Sequence, residues 1–138
     1  MDKSIIVDTG PLVAFLNRSD RYHNWTKQQW ERIRPPLLTC EAVLAETCFL
    51  MRHLPGGSQA VLELVNRGVI QSLFNLEQEV QPLMKLIKRY ADVPMSLADA
   101  CLVRMSELHA QSKVLTLDRD FRIYRKHSRH VIPLLIPH

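Results

Sequence analysis

Short apolar runs of strand length alternate along this chain with segments of helical period, and this alternation constrains the fold more than any other feature. It is typical of a mainly parallel sheet covered by helices on both faces. We therefore predict an α/β fold, a three-layer α/β/α domain. The predicted strands lie at residues 4–7, 37–39, 69–74, 113–117 and 131–135, and the predicted helices at 11–17, 22–34, 41–53, 58–67, 77–90 and 96–109.

The size and composition suit one folded unit. The chain has 138 residues, 46% of them hydrophobic and 23% charged, without repeats or low-complexity stretches, so it can bury one core. We expect a single domain over residues 1–138. Only three apolar residues in a row precede Asp8, too few for a signal peptide, and no run reaches the ~18 apolar residues of a membrane span. We expect a cytoplasmic protein without a membrane partner.

The cysteines and histidines argue against a zinc site. Cys40, Cys48 and Cys101 are widely spaced within apolar sequence, and the six histidines form no HxxxH pair. We expect buried free thiols. Any metal ion would have to be bound by oxygen.

Two acids fall on helix faces that are otherwise apolar. Glu46 has apolar neighbours at helical spacing on both sides, and Asp99 has Leu102 and Val103 three and four residues further on. Burying an uncompensated carboxylate costs several kcal/mol or forces a large upward pKa shift. Both acids therefore need a partner.

Two further acids follow predicted strands. Asp8 ends the first and Asp118 the fourth, and the carboxyl ends of parallel strands are where ligand sites form. Converging carboxylates suit Mg²⁺ or Mn²⁺, which can activate water and bind a phosphoryl oxygen during phosphodiester hydrolysis. Thr116, two residues before Asp118, should point to the same side of its strand and could orient a carboxylate or a water.

Each acid also has a purely structural interpretation. Asp99 completes a capping box with the residue three positions before it. Asp118 could belong to an ordinary turn in which Asp120 caps a helical turn, and Asp8 could serve the turn that it begins. Glu46 could form a buried salt bridge with an arginine. The combination of four acids carries more weight than any one of them.

Four segments, each containing one of these acids, resemble in order and spacing the four acidic motifs of PIN domains, particularly VapC-like toxins. They are residues 6–14, 44–47, 94–100 and 115–121, and the resemblance spans essentially the whole chain. It implies a PIN-like endoribonuclease that requires Mg²⁺ or Mn²⁺, is commonly a homodimer and is often inhibited by a cognate antitoxin. The resemblance makes four residues metal ligands or acids that orient the attacking water: Asp8, Glu46, Asp99 and Asp118.

The resemblance also places supporting residues. Thr116 becomes a supporting polar residue. Many relatives have serine where this chain has Gly10, so a hydroxyl role there would fall to Thr9. Asp120 is an alternative to Asp118 as the fourth acid, and we prefer Asp118 because it directly follows the strand.

A basic stretch follows the fourth acid. Residues 119–130 include five arginines and lysines in a chain of net charge +4, which permits a polyanionic partner. A solvated basic face is the alternative. With RNA as the implied substrate, the candidate contacts are Arg119, Arg122, Arg125 and Lys126.

Other classes fit the sequence less well. The triplet Asp8-Thr9-Gly10 is also the aspartic protease motif, but that motif belongs to an all-β fold with a second copy. A phosphoacceptor receiver domain needs adjacent acids after its first strand and a lysine that this chain lacks. A catalytically silent PIN-like binding module is disfavoured because all four acids are present.

Overall fold

The computed structural model describes residues 3–138. A five-stranded sheet forms its centre, and every pair of neighbouring strands is parallel. Its strands are β1 (Ser4–Val7), β2 (Leu37–Leu38), β3 (Ile70–Gln71), β4 (Ser112–Leu115) and β7 (Leu134–Leu135). The strands β5 (Arg125–Lys126) and β6 (His130–Val131) form a separate antiparallel pair.

Six α-helices flank the sheet in the described range, and the predicted three-layer α/β/α class is confirmed. They are α1 (Thr9–Leu16), α2 (His23–Glu31), α3 (Glu41–Leu50), α4 (Gly57–Asn66), α5 (Val80–Arg89) and α6 (Leu97–Leu108). A 3₁₀ helix, Arg119–Arg122, follows β4.

The strand order β3-β2-β1-β4-β7 reverses direction at β1. The chain leaves β1 towards β2 and β3, and later returns to the other side of β1 as β4, in register with Val7 opposite Leu115. Such a switch point opens a crevice at the carboxyl ends of the two strands. Residues that follow β1 and β4 must therefore meet there.

Burial explains why β1 and β4 form the centre of the sheet. Ile6, Val7, Val114 and Leu115 are fully buried, as expected for strands covered on both faces. Leu102 on α6 is buried with them in the same hydrophobic core. The core thus fixes the strand ends from which the candidate acids project.

Several predicted details were wrong. Residues 131–135 form two short strands, because Pro133 has no N–H with which to continue a ladder. On α5 the predicted apolar side was Val80, Leu83, Met84 and Ile87, but Leu83 and Leu86 are buried whereas Met84 is 61% exposed. That helix carries two apolar stripes, and periodicity alone does not choose between them.

The cysteines are free thiols, as expected, but differ in burial. Cys40 and Cys101 are buried, whereas Cys48 is only half-buried. In the described part of the chain, no helix has the length and apolar character to cross a membrane.

Candidate active site

Asp8 lies at the carboxyl end of β1 and is fixed at both carboxylate oxygens. Its Oδ1 accepts a hydrogen bond from the N–H of Thr9 at 2.7 Å, which makes it the N-cap of α1. Its Oδ2 accepts a hydrogen bond from Thr116 Oγ1, also at 2.7 Å. Because Asp8 is only 6% exposed, the fold determines where this carboxylate lies.

Thr116 links the first and fourth acids. Besides donating to Asp8, its hydroxyl accepts a hydrogen bond from the N–H of Asp118 at 2.9 Å. Asp118 Oδ1 in turn accepts from the N–H of Asp120 at 2.9 Å, as the N-cap of the 3₁₀ helix. The alternative interpretation, in which Asp120 caps a helical turn, is therefore wrong, since Asp118 is the cap.

Asp99 lies in the first turn of α6, where its two interpretations coexist. Ser96, the N-cap, accepts a hydrogen bond from the N–H of Asp99 at 3.0 Å. The Asp99 carboxylate is half-buried, and its Oδ2 accepts a hydrogen bond from the Tyr124 hydroxyl at 2.9 Å. The residue thus belongs to a capped helix start and to the acidic site.

Glu46 does not lie on a buried apolar face, and that expectation was wrong. The side chain is exposed, and nearby Phe49 and Leu50 on α3 are 60% and 42% exposed. The buried residues of α3 are Val43 and Thr47. Because the Glu46 carboxylate is exposed to water, it does not need a partner. Within residues 3–138 it forms no ion pair with an arginine.

The structure brings the four acids to one cavity of about 270 Å³ at the switch point. Among the described residues, no basic side chain contributes to its lining, and Asp120 is not part of it. Gly10 is part of this wall, where a Cβ would lie 3.2 Å from Leu117 Cδ1, a tight contact. The lining residues are Asp8, Thr9, Gly10, Glu46, Leu50, Asp99, Leu117 and Asp118.

Burial dominates the electrostatics of this cavity, and the charges of neighbouring acids add to it. Burial raises the pKa of Asp8 to about 7, although its hydrogen bonds from Thr116 and Thr9 lower it, and the charges of Asp99 and Asp118 raise it further. Burial also raises the pKa of Asp99, opposed by the hydrogen bond from Tyr124 and assisted by Asp118. The metal-free cavity therefore disfavours full ionisation.

The donor set fits a hard cation. All its side-chain donors are oxygen, as Mg²⁺ and Mn²⁺ prefer. Thr9 Oγ1 in the cavity wall is buried and lacks a hydrogen-bond partner among residues 3–138. Within that range, however, no three His, Cys, Asp or Glu side chains are grouped closely enough to hold a metal. The arrangement fits an ion bound through one or two carboxylates and water, as is usual for Mg²⁺.

Most of the candidate RNA-binding cations interact with the chain's own carbonyl groups. Arg125 Nη1 donates to the carbonyls of Arg122, Ile123 and Tyr124, Arg122 donates to the carbonyl of His138, and Lys126 Nζ lies 3.4 Å from the carbonyl of Ala110. Arg119, beside Asp118, is exposed and has no such contact in the described range.

Sequence reasoning missed Tyr124. It is 25 residues from its partner Asp99, and no spacing rule joins a tyrosine after a 3₁₀ helix to the start of another helix.

Fold and site together define a three-layer α/β/α domain with an acidic cavity at the carboxyl edge of a parallel sheet. The sequence model of the PIN domain matches residues 5–126, and the chain belongs to the PIN domain family, as predicted. Among solved structures it is similar to Mycobacterium tuberculosis VapC20, described as a toxin that cleaves the sarcin-ricin loop. The identity is 24% and the TM-score 0.73, over 94% of this chain and 100% of that one. No curated protein matches the sequence.

Proposed function

We propose that this protein is an endoribonuclease that depends on Mg²⁺ or Mn²⁺. One observation carries the proposal: four acids from four separate parts of the chain line one cavity, and no basic residue within residues 3–138 contributes to that lining. Such an arrangement is destabilised by mutual repulsion unless a cation is present, which suggests a functional rather than a structural purpose. The acids are Asp8, Glu46, Asp99 and Asp118.

We assign the acids different tasks. Asp8, fixed by Thr9 and Thr116, and Asp99, fixed by Tyr124, would hold the cation. A bound divalent cation lowers the pKa of water and polarises a phosphoryl oxygen. Glu46 is exposed at the edge of the cavity and would orient the attacking water and accept its proton.

Asp118 would keep the cavity negative without binding the ion directly. Its own N–H is held by the same hydroxyl that holds Asp8, so the two acids are positioned as a unit. Asp118 is preferred over Asp120 because it lines the cavity and Asp120 does not.

Family membership and the similarity to VapC20 support a more specific proposal, that the chain is the toxin of a toxin-antitoxin pair acting on cytoplasmic RNA. An antitoxin segment could contact the exposed Phe49 and Leu50 beside Glu46. We also propose a homodimer, which light scattering of the purified protein tests directly.

The topology disfavours the remaining alternatives. A receiver domain has the strand order 2-1-3-4-5, whereas here the main-sheet strands follow the order 3-2-1-4-5 when numbered in sequence. An aspartic protease requires a β fold, and here α1 directly follows Asp8. A silent binding module would bind RNA without cutting it, so only an activity measurement separates it from the enzyme.

The test is digestion of RNA with Mn²⁺ and with EDTA. We expect wild-type cleavage only with Mn²⁺, and its loss in Asp8→Asn and in Asp99→Asn by more than the roughly 10- to 100-fold that removal of an outer partner costs, if each holds the ion. Glu31→Gln, which removes an exposed acid at the end of α2, is the control and should cleave normally. Cleavage that persists in EDTA, or undiminished cleavage by both variants, would reject the proposal.

A further inference from the structure

Tyr124 is a fully buried tyrosine whose hydroxyl reaches the edge of the acidic cavity. It is 0% exposed and donates to Asp99 Oδ2 at 2.9 Å. Two aromatic rings pack against it edge to face, Tyr90 with 5.1 Å and Phe121 with 5.2 Å between ring centroids. The ring therefore cannot swing away, and the position of its hydroxyl is fixed by the core.

This hydroxyl is suited to be a permanent donor. An ionised carboxylate can only accept, so the Tyr124 hydroxyl is the donor in its hydrogen bond with Asp99. Asp99 is only half-buried at the start of a helix, and its side chain would otherwise have several accessible rotamers. The contact from Tyr124 selects one of them.

A similar arrangement occurs at Asp8. There a buried hydroxyl, that of Thr116, donates to one carboxylate oxygen at 2.7 Å. Each of these two acids thus accepts a hydrogen bond from a buried hydroxyl of a separate element. Carboxylates that bind metal ions are commonly oriented by outer hydrogen bonds of this kind.

We propose that Tyr124 is a positioning residue for the ribonuclease reaction, holding the Asp99 carboxylate in the orientation that binds the catalytic cation. The inference rests on the proposed function. The segment 118–124 then contributes to the site twice. It supplies Asp118 at its start and, after the 3₁₀ helix, Tyr124, which holds Asp99.

Tyr90 provides a matched control. It is also a buried tyrosine, and its ring packs on Tyr124. Its hydroxyl, however, accepts a hydrogen bond from the N–H of Arg125 at 2.9 Å and makes no contact with an acid of the cavity. Tyr90→Phe and Tyr124→Phe therefore each delete one buried hydroxyl, but only Tyr124→Phe releases a candidate ligand.

The experiment measures Mn²⁺ binding without RNA, by calorimetry, for the wild type and both variants. We expect the Kd of Tyr124→Phe to rise about 10-fold or more, since loss of an outer partner typically costs 10- to 100-fold in metal affinity. The Kd of Tyr90→Phe should stay within about twofold of wild type, although its melting temperature falls because a hydrogen bond is lost. In cleavage assays, excess Mn²⁺ should restore most of the kcat of Tyr124→Phe without changing KM for RNA.

The outcomes are separable. Unchanged Mn²⁺ affinity in Tyr124→Phe, or an equal loss in Tyr90→Phe, would assign Tyr124 to packing alone and overturn the inference. Absence of both Mn²⁺ binding and cleavage in the wild type would reject the proposed function instead. If Tyr124→Phe is unfolded at the assay temperature, the same titrations at a lower temperature, with circular dichroism showing a native spectrum, decide between these results.

Discussion

Asp8 and Glu46 line the same cavity, yet they differ in burial and in hydrogen bonding. Asp8 is buried and has both oxygens occupied by hydrogen bonds from Thr9 and Thr116, whereas Glu46 is exposed on α3 without an ion pair in residues 3–138. One carboxylate is held by the fold and the other is free to adjust. A site that must fix an ion and also move a proton needs both kinds of group.

The difference follows from where each residue lies in the chain. Asp8 continues the central strand beyond its buried end, so the sheet itself determines its position. Glu46 is on a helix whose packing depends on Val43 and Thr47, and its own side chain contributes little to that packing. Substitutions should therefore affect both stability and activity at Asp8 but activity alone at Glu46.

The largest effect should be on the stability of the metal-free protein. Burial raises the pKa of Asp8 from 3.8 to about 7. Between pH 3.8 and pH 7 the carboxyl is therefore protonated in the native state and ionised in the unfolded state. Stability from this group is present below pH 3.8 and is lost as the pH rises to about 7. Between pH 5 and pH 8 the loss is at most roughly 2.5 kcal/mol.

Asp8→Asn tests whether the stability of the metal-free protein falls as the pH rises, because the substitution removes the titrating group. Urea unfolding in EDTA should show that the variant lacks this fall in stability and exceeds the wild type at pH 8. Saturating Mn²⁺ should reverse the order, since the ion stabilises the ionised wild-type site. Parallel pH profiles for the two proteins would mean that Asp8 does not titrate in this range.

Thr116→Val tests whether holding Asp8 matters for catalysis. The substitution keeps the shape but deletes the hydroxyl that joins Asp8 to Asp118, and we expect cleavage to fall about 10- to 100-fold. Thr39→Val is the matched control, because Thr39 is also fully buried but donates only to the carbonyl of Val7. Equal activity losses in both variants would show that a buried hydroxyl is needed only for the fold.

Glu46→Gln tests the prediction that the exposed acid affects activity alone. We expect cleavage to drop about 100-fold, the lower end of what a general base contributes, while the free energy of unfolding stays within about 0.5 kcal/mol of wild type, as is usual for an exposed position. Glu41→Gln, an exposed acid in the first turn of the same helix, should leave cleavage unchanged. A marked loss of stability in Glu46→Gln would show that the side chain has a structural partner.

The sequence allowed the layers of the fold to be predicted from strand-and-helix alternation, and the meeting of Asp8 and Asp118 from the carboxyl ends of β1 and β4. Glu46 was selected on a wrong premise, because its helix face is exposed. The sequence did not reveal which face of α3 or α5 is buried, since both helices carry apolar residues on more than one side. Nor could it reveal Tyr124, whose contact with Asp99 depends on how a 3₁₀ helix packs against α6. Contacts of this kind follow from tertiary packing and not from local spacing.

The smallest expected effect is on RNA binding by the basic stretch, where one arginine is engaged by carbonyl groups and another is exposed. Arg125 donates to three carbonyls at 2.6–3.1 Å, whereas Arg119 is exposed beside Asp118 without such contacts in the described range. Measured in EDTA by fluorescence anisotropy over a range of salt concentrations, RNA binding by Arg119→Ala should lose about one unit of the salt-dependence slope. Arg125→Ala should instead lower the melting temperature and leave the slope nearly unchanged, because its guanidinium is already engaged. If Arg125→Ala reduces the slope as much as Arg119→Ala does, the guanidinium leaves those carbonyls to bind RNA, and the distinction fails for this segment.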